Sequence, residues 1–411
     1  MSKKVDERIP REVGSGVLPD NPAARSPWGK LVSYRDAIHY SARYNAVFSA
    51  SALQALRILV PDYKERATLM SDNAYKRLYQ VFTSQCGPYA MDEQNSHPFF
   101  RGNFGGGLTG DAGDDALLMC GRVNDFGTYR VEKELDVCDW DIVGSDLCRA
   151  TTQSLQGTAD GQATHLQPGT KLEYCMVEAK GCGDPHCRIV AESRDKYPMP
   201  EHEIWESFGP IATEDQIRYT PEEDMVKESQ VFREECNNTF CNGTCWERDA
   251  SSVYKQPATA ATTYIFPAIE QLIAEKKFDE KFVNHILRCV FEASGKAAFG
   301  EFYAKEGLRN WLGVPRDIDD GRIMGAHIEM FLQCMLVDYE IEAFNNEEVI
   351  YVIDRNRLTF NTPRAVDAFV YMWYGMTKTL VSAEWSLWEE PNDTPADKLR
   401  IKIAKKIDKF C

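Results

Sequence analysis

The sequence predicts an α+β protein: helix-flanked antiparallel sheet, arranged as two related lobes. Three observations carry this. Segments with apolar residues at three- and four-residue steps are interspersed with short runs that alternate or are continuously apolar, so helical and strand periods mix along the chain. The 411 residues are 43% hydrophobic and 27% charged, an ordinary globular balance with length for two lobes. Finally, DDALLMCGRVNDF (114–126) and DDGRIMGAHIEMF (319–331) share Asp-Asp, a Met in sixth place and a Phe in thirteenth. Each precedes a strand-like run and then a helix, which suggests duplication; two unrelated amphipathic helices would also match this well.

Residues 1–28 are polar and rich in Pro and Gly and read as a loose N-terminal arm. The first lobe is expected over 29–195. Its helices run through 37–85, broken at Pro61, with Tyr44, Val47, Leu53, Leu56 and Leu59 near helical spacing. The glycine-rich stretch 97–115 has neither GxGxxG nor a Walker lysine, so it reads as a loop before a helix or a pocket lid rather than a phosphate cradle. A helix is expected over 114–127, a half-buried strand over 129–143, and a short helix over 145–155. A hairpin follows: Leu172–Glu178 and Arg188–Glu192 flank Gly-Cys-Gly-Asp-Pro-His, where Gly and Asp-Pro supply the bend.

Residues 196–257 are expected to form an acidic, cysteine-containing connection. The second lobe, 258–411, is more helical. Helices are read over 264–276, 280–305, 319–334 and 365–387, with strands over 336–344 and 349–353. Thr362-Pro363 places an N-cap residue before a helix-opening proline. The stripe Phe369, Met372, Trp373, Met376 reads as core, or as the wall of a hydrophobic pocket.

The formal charge of −16 repels polyanions, so neither nucleic acid nor an anionic membrane is expected as a partner; the tail 397–410 is the one basic stretch. The N-terminus lacks an apolar h-region and no run is long enough to span a bilayer, which reads as cytoplasmic. In a reducing compartment clustered thiols point to metal binding or catalysis more than to disulfides. Six of the thirteen cysteines lie between Leu172 and Trp246. The candidate ligands are Cys182, His186 and Cys187 with Cys236, Cys241 and Cys245. Soft thiolates from two loops suit zinc or an iron–sulfur cluster. Buried, unliganded thiols are the competing reading.

The run Glu178-Ala179-Lys180-Gly181-Cys182-Gly183-Asp184-Pro185-His186-Cys187 resembles the C-terminal signature of 4-vinyl reductase domains and of the L-2-amino-thiazoline-4-carboxylate hydrolase-like family. There a strand ends in Glu, a Gly-Asp turn follows, and a Cys opens the next strand. Cys138 and Cys148, around a strand-to-helix step, also resemble it. Ala179 stands where vinyl-reductase domains often have a zinc-binding Cys, with Cys182 three residues on. The resemblance implies a compact α+β domain enclosing a small-molecule pocket, and hydrolytic C–N ring opening with water activated by Glu178, by Asp184 or by a metal; Arg188 completes the catalytic candidates. On a strand His186 and Arg188 share one face and Cys187 takes the other. Two alternatives remain open: a non-catalytic small-molecule-binding module, and a metal-containing accessory subunit. The partners expected are thus a small ligand or substrate, a homo-oligomer, or a larger complex.

Overall fold

A computed structural model describes residues 3–4, 22–84, 122–125, 130–135, 138, 140–163, 172–193, 261–302, 305–335, 337–359, 362–390 and 394–406. These fall into two compact units. The described residues up to Leu59 and from 261 onward form an outer unit; those from Val60 to 193 form a unit inserted within it.

The outer unit begins with β1 (Lys3–Lys4), β2 (Pro22–Arg25), β3 (Leu31–Ser33) and α1 (Tyr34–Leu59). The inserted unit contains α2 (Tyr63–Ser84), β4 (Arg122–Asp125), β5 (Arg130–Leu135), a 3-10 turn at Asp141–Val143, α3 (Ser145–Ala163), β6 (Leu172–Glu178) and β7 (Cys187–Ser193). The outer unit resumes with a π-turn at Ala261–Ile265, α4 (Phe266–Ala274), α5 (Glu280–Phe302), α6 (Lys305–Leu312), α7 (Arg322–Cys334), β8 (Tyr339–Phe344) and β9 (Glu348–Asp354). It closes with α8 (Arg355–Thr359), α9 (Pro363–Leu380), β10 (Trp385–Glu389) and β11 (Lys398–Lys405). The α+β class is therefore correct. Among the described residues no helix is long and apolar enough to cross a membrane.

The main sheets of the two units are each built as hairpin, helical connection, hairpin. The inserted sheet is ordered β4-β5-β7-β6 and the outer one β1-β8-β9-β11-β10, antiparallel throughout. In each, the second hairpin docks through its later strand. The sequence match that suggested duplication does not follow this correspondence. It sets 122–125 opposite 327–330, yet the former is β4, paired to β5, and the latter lies in α7.

The outer core is aromatic. Tyr44 and Phe48 of α1 pack on Phe331 at 4.4 Å and on Phe369 at 4.1 Å between ring centroids, and the Trp373 indole donates to the Tyr44 hydroxyl at 2.7 Å. Burying each such ring contributes about 2–3 kcal/mol. These contacts tie α1 to the C-terminal residues, so the lobe expected over 29–195 starts instead at Val60. The expected loose arm over 1–28 is also corrected in part: 22–25 pairs with β3, and the amide of Gly29 donates to the Ser26 carbonyl at 2.9 Å. The helix read over 365–387 stops at Leu380, because Val381 leaves helical geometry; Trp385, Ser386 and Leu387 are buried in β10. Thr362 takes the N-cap position, without a side-chain capping bond. The basic stretch near the C-terminus is mostly β11, hydrogen-bonded on both sides.

Candidate functional site

The predicted hairpin is formed by β6 and β7. The link between them is a 3-10 turn at Lys180–Cys182 ending in Gly183, whose φ of +102° is left-handed backbone that suits glycine. Asp184 holds the turn: its carboxylate accepts the Ala179 N–H at 2.8 Å, and its own N–H donates to the Ala179 carbonyl at 3.2 Å.

Alternation along β7 separates two chemistries. On one face, His186 Nε2 lies 2.7 Å and Arg188 Nε 3.5 Å from a Glu178 carboxylate oxygen, and Arg188 Nη1 is 3.8 Å from Glu132 of β5. Glu178 and Arg188 are thus brought together with His186, while Asp184 is engaged by the backbone of the turn.

On the other face, Cys187 meets Cys138, and Cys182 meets Cys148. Four thiols from separate segments converge: Cys138 ahead of the 3-10 turn, Cys148 on α3, Cys182 on the hairpin turn, and Cys187 opening β7. Helix α3 is fixed on α2 by the buried Arg66–Asp146 ion pair at 2.5 Å and by Tyr63 donating to Ser145 Oγ at 2.7 Å. Cys148 is thereby aimed at the hairpin. Gly181 is required there, since a Cβ at that position would lie 2.7 Å from Cys148 Sγ.

The thiols share protons unequally. A hydrogen bond from Cys138 brings Cys187 down to about 7 against the opposing cost of burial; the Lys180 N–H, at 3.3 Å, and the Lys180 and His186 charges add to the effect. Cys138 is pushed up, first by that same bond and then by burial. Cys182 is lowered by a bond from Cys148, and the nearby Arg149 guanidinium assists. Cys148 is raised by that bond, by burial and by the other three sulfurs. Its single S–H also has the Gly144 carbonyl in reach at 3.8 Å.

Among the described residues no group of three or more His, Cys, Asp or Glu is placed to hold a metal ion as it stands. The sulfurs form two pairs, and none of the four is in a disulfide. Their chemistry nonetheless fits a thiophilic ion: four soft donors, two of them biased to thiolate, beside Lys180 and Arg149.

Of the six expected ligands, Cys182 and Cys187 are in this cluster. His186 turns away to Glu178, because neighbouring strand residues face opposite sides. Cys236, Cys241 and Cys245 lie outside the described residues. Cys138 and Cys148 were absent from the expected ligand set; their resemblance to the family pattern was the only signal, since their sequence distance from Cys182 hides the contact. No family model matches the chain, and no curated protein or solved structure does either.

Proposed function

We propose that the inserted unit is a metal-stabilised binding module. Its Cys138, Cys148, Cys182 and Cys187 take up one thiophilic ion, zinc by preference, and so lock the hairpin onto α3. The observation behind this is that four thiols from separate segments of chain meet as two neighbouring pairs. A closed tetrathiolate set leaves no open position for water, so the ion is structural rather than hydrolytic. Asp184 is held by the turn and Glu178 by His186 and Arg188, which supports the binding reading over C–N ring opening. Glu178, His186 and Arg188 supply the polar edge where a small anionic or zwitterionic ligand would dock.

The test is elemental analysis of anaerobically purified protein. About one zinc per chain is expected. Substituting Cys138, Cys148, Cys182 and Cys187 together by Ser should abolish it, and substituting Cys236, Cys241 and Cys245 should not. The reverse pattern would refute the assignment. A second reading, a thiol redox centre, is favoured by the low Cys187 value. It requires Cys138 and Cys187 to give up two protons and two electrons to an oxidant such as diamide, forming one disulfide. Metal-free protein that does so reversibly would support it.

A further inference from the structure

The outer unit contains a cavity of about 680 Å³, within the range of small-molecule sites. It is formed by α5, α9, β10 and Lys406, the residue after β11. Its aromatic walls are Tyr371, Tyr374 and Trp388, and the buried stripe Phe369, Met372, Trp373, Met376 lies on the opposite, core face of α9.

Three charged side chains lining this cavity lack an ion-pair partner among the described residues. Asp367 is half-buried and accepts no hydrogen bond among the described residues; burial raises its carboxyl, Glu389 adds to this, and Arg355 and Arg364 oppose it. Glu389, by contrast, is already paired with Arg355. Arg288 and Lys406 are exposed, the latter with its ammonium 4.5 Å above the Trp388 ring. A half-buried carboxylate with no partner is costly, and one that faces a cavity has room for a cationic donor. Cations at exposed positions offer the complementary contact for an anion.

We infer that this cavity binds a zwitterionic aromatic amine of amino-acid type. The ligand's ammonium meets Asp367, its ring lies among Tyr371, Tyr374 and Trp388, and its carboxylate faces Arg288 and Lys406. A purely cationic ligand would leave both cations unanswered, and a purely anionic one would leave Asp367 so. Every residue of the site belongs to the outer unit, so this assignment does not depend on the thiol centre.

Calorimetric titration of the full chain at neutral pH with phenylalanine, phenethylamine and hydrocinnamate tests it. These probes share a ring and carry both charges, the ammonium alone, or the carboxylate alone. Phenylalanine should bind tightest. Asp367→Asn should weaken it about tenfold or more while sparing hydrocinnamate. Arg288→Ala with Lys406→Ala should weaken it similarly while sparing phenethylamine; both positions are exposed, so folding is not at stake. Equal binding of a singly charged probe, indifference to these substitutions, or no binding of phenylalanine would each overturn the proposal.

Discussion

At the scale of single residues, burial decides chemistry. His327 is fully buried on α7, within 3.4 Å of the Tyr40 hydroxyl, and burial brings it down to about 3. Its unfolded value is near 6.5. Above that pH neither state is protonated and the residue has no effect. As pH falls below it, the unfolded chain takes up a proton that the fold refuses, so stability drops until about 3. The full cost is on the order of 5 kcal/mol. His327→Gln should flatten the acid side of a denaturant-stability profile between pH about 6 and 4; an unchanged acid limb would contradict the account. Glu329 on the same helix is also buried, and it accepts hydrogen bonds from Tyr339 at 2.9 Å and Tyr351 at 3.3 Å. In the sequence His327 is simply one residue of the segment 319–334 read as a helix. That α7 is buried all round was decided by the sheet and helices packed against it.

At the scale of elements, α5 and α9 touch backbone to backbone. A Cβ on Gly295 would fall 2.1 Å from the Met372 carbonyl oxygen, and one on Gly375 would fall 2.2 Å from that of Glu292. Alanine would gain about 1 kcal/mol of helix propensity at either place. The clash with a backbone oxygen that cannot swing away costs about 2–3 kcal/mol, so it wins. Gly295→Ala and Gly375→Ala should each lower the denaturation midpoint, and a rise in either would show that the helices can separate freely. Most elements were legible from sequence: the 172–193 hairpin, α5, α7, β8 and β9 lie within a few residues of their predicted places, because their periodicities are local. The end of α9 was not legible, since its apolar residues run on into β10 and only a backbone turn at Val381 separates the two. Nor was β4, a four-residue strand that β5 holds in place through the ladder.

At the scale of the molecule, the described residues of the inserted unit form one stretch of sequence, and those of the outer unit lie on either side of it. An excised fragment of residues 60–250 should therefore unfold cooperatively in denaturant and keep the metal stoichiometry of the full chain. Broad, non-cooperative unfolding of that fragment would show that it lacks a core of its own. By itself the sequence determined the α+β class, the hairpin with its Gly-Asp bend, and the clustering of thiols along the chain. These depend on periodicity, turn chemistry and composition, all written locally. Only the tertiary structure decided that α1 belongs with the C-terminal residues, that Cys138 and Cys148 join Cys182 and Cys187, and that Asp367, Arg288 and Lys406 line one cavity. Each of those facts is a contact between residues distant in the chain, and such contacts are set by packing rather than by any local signal.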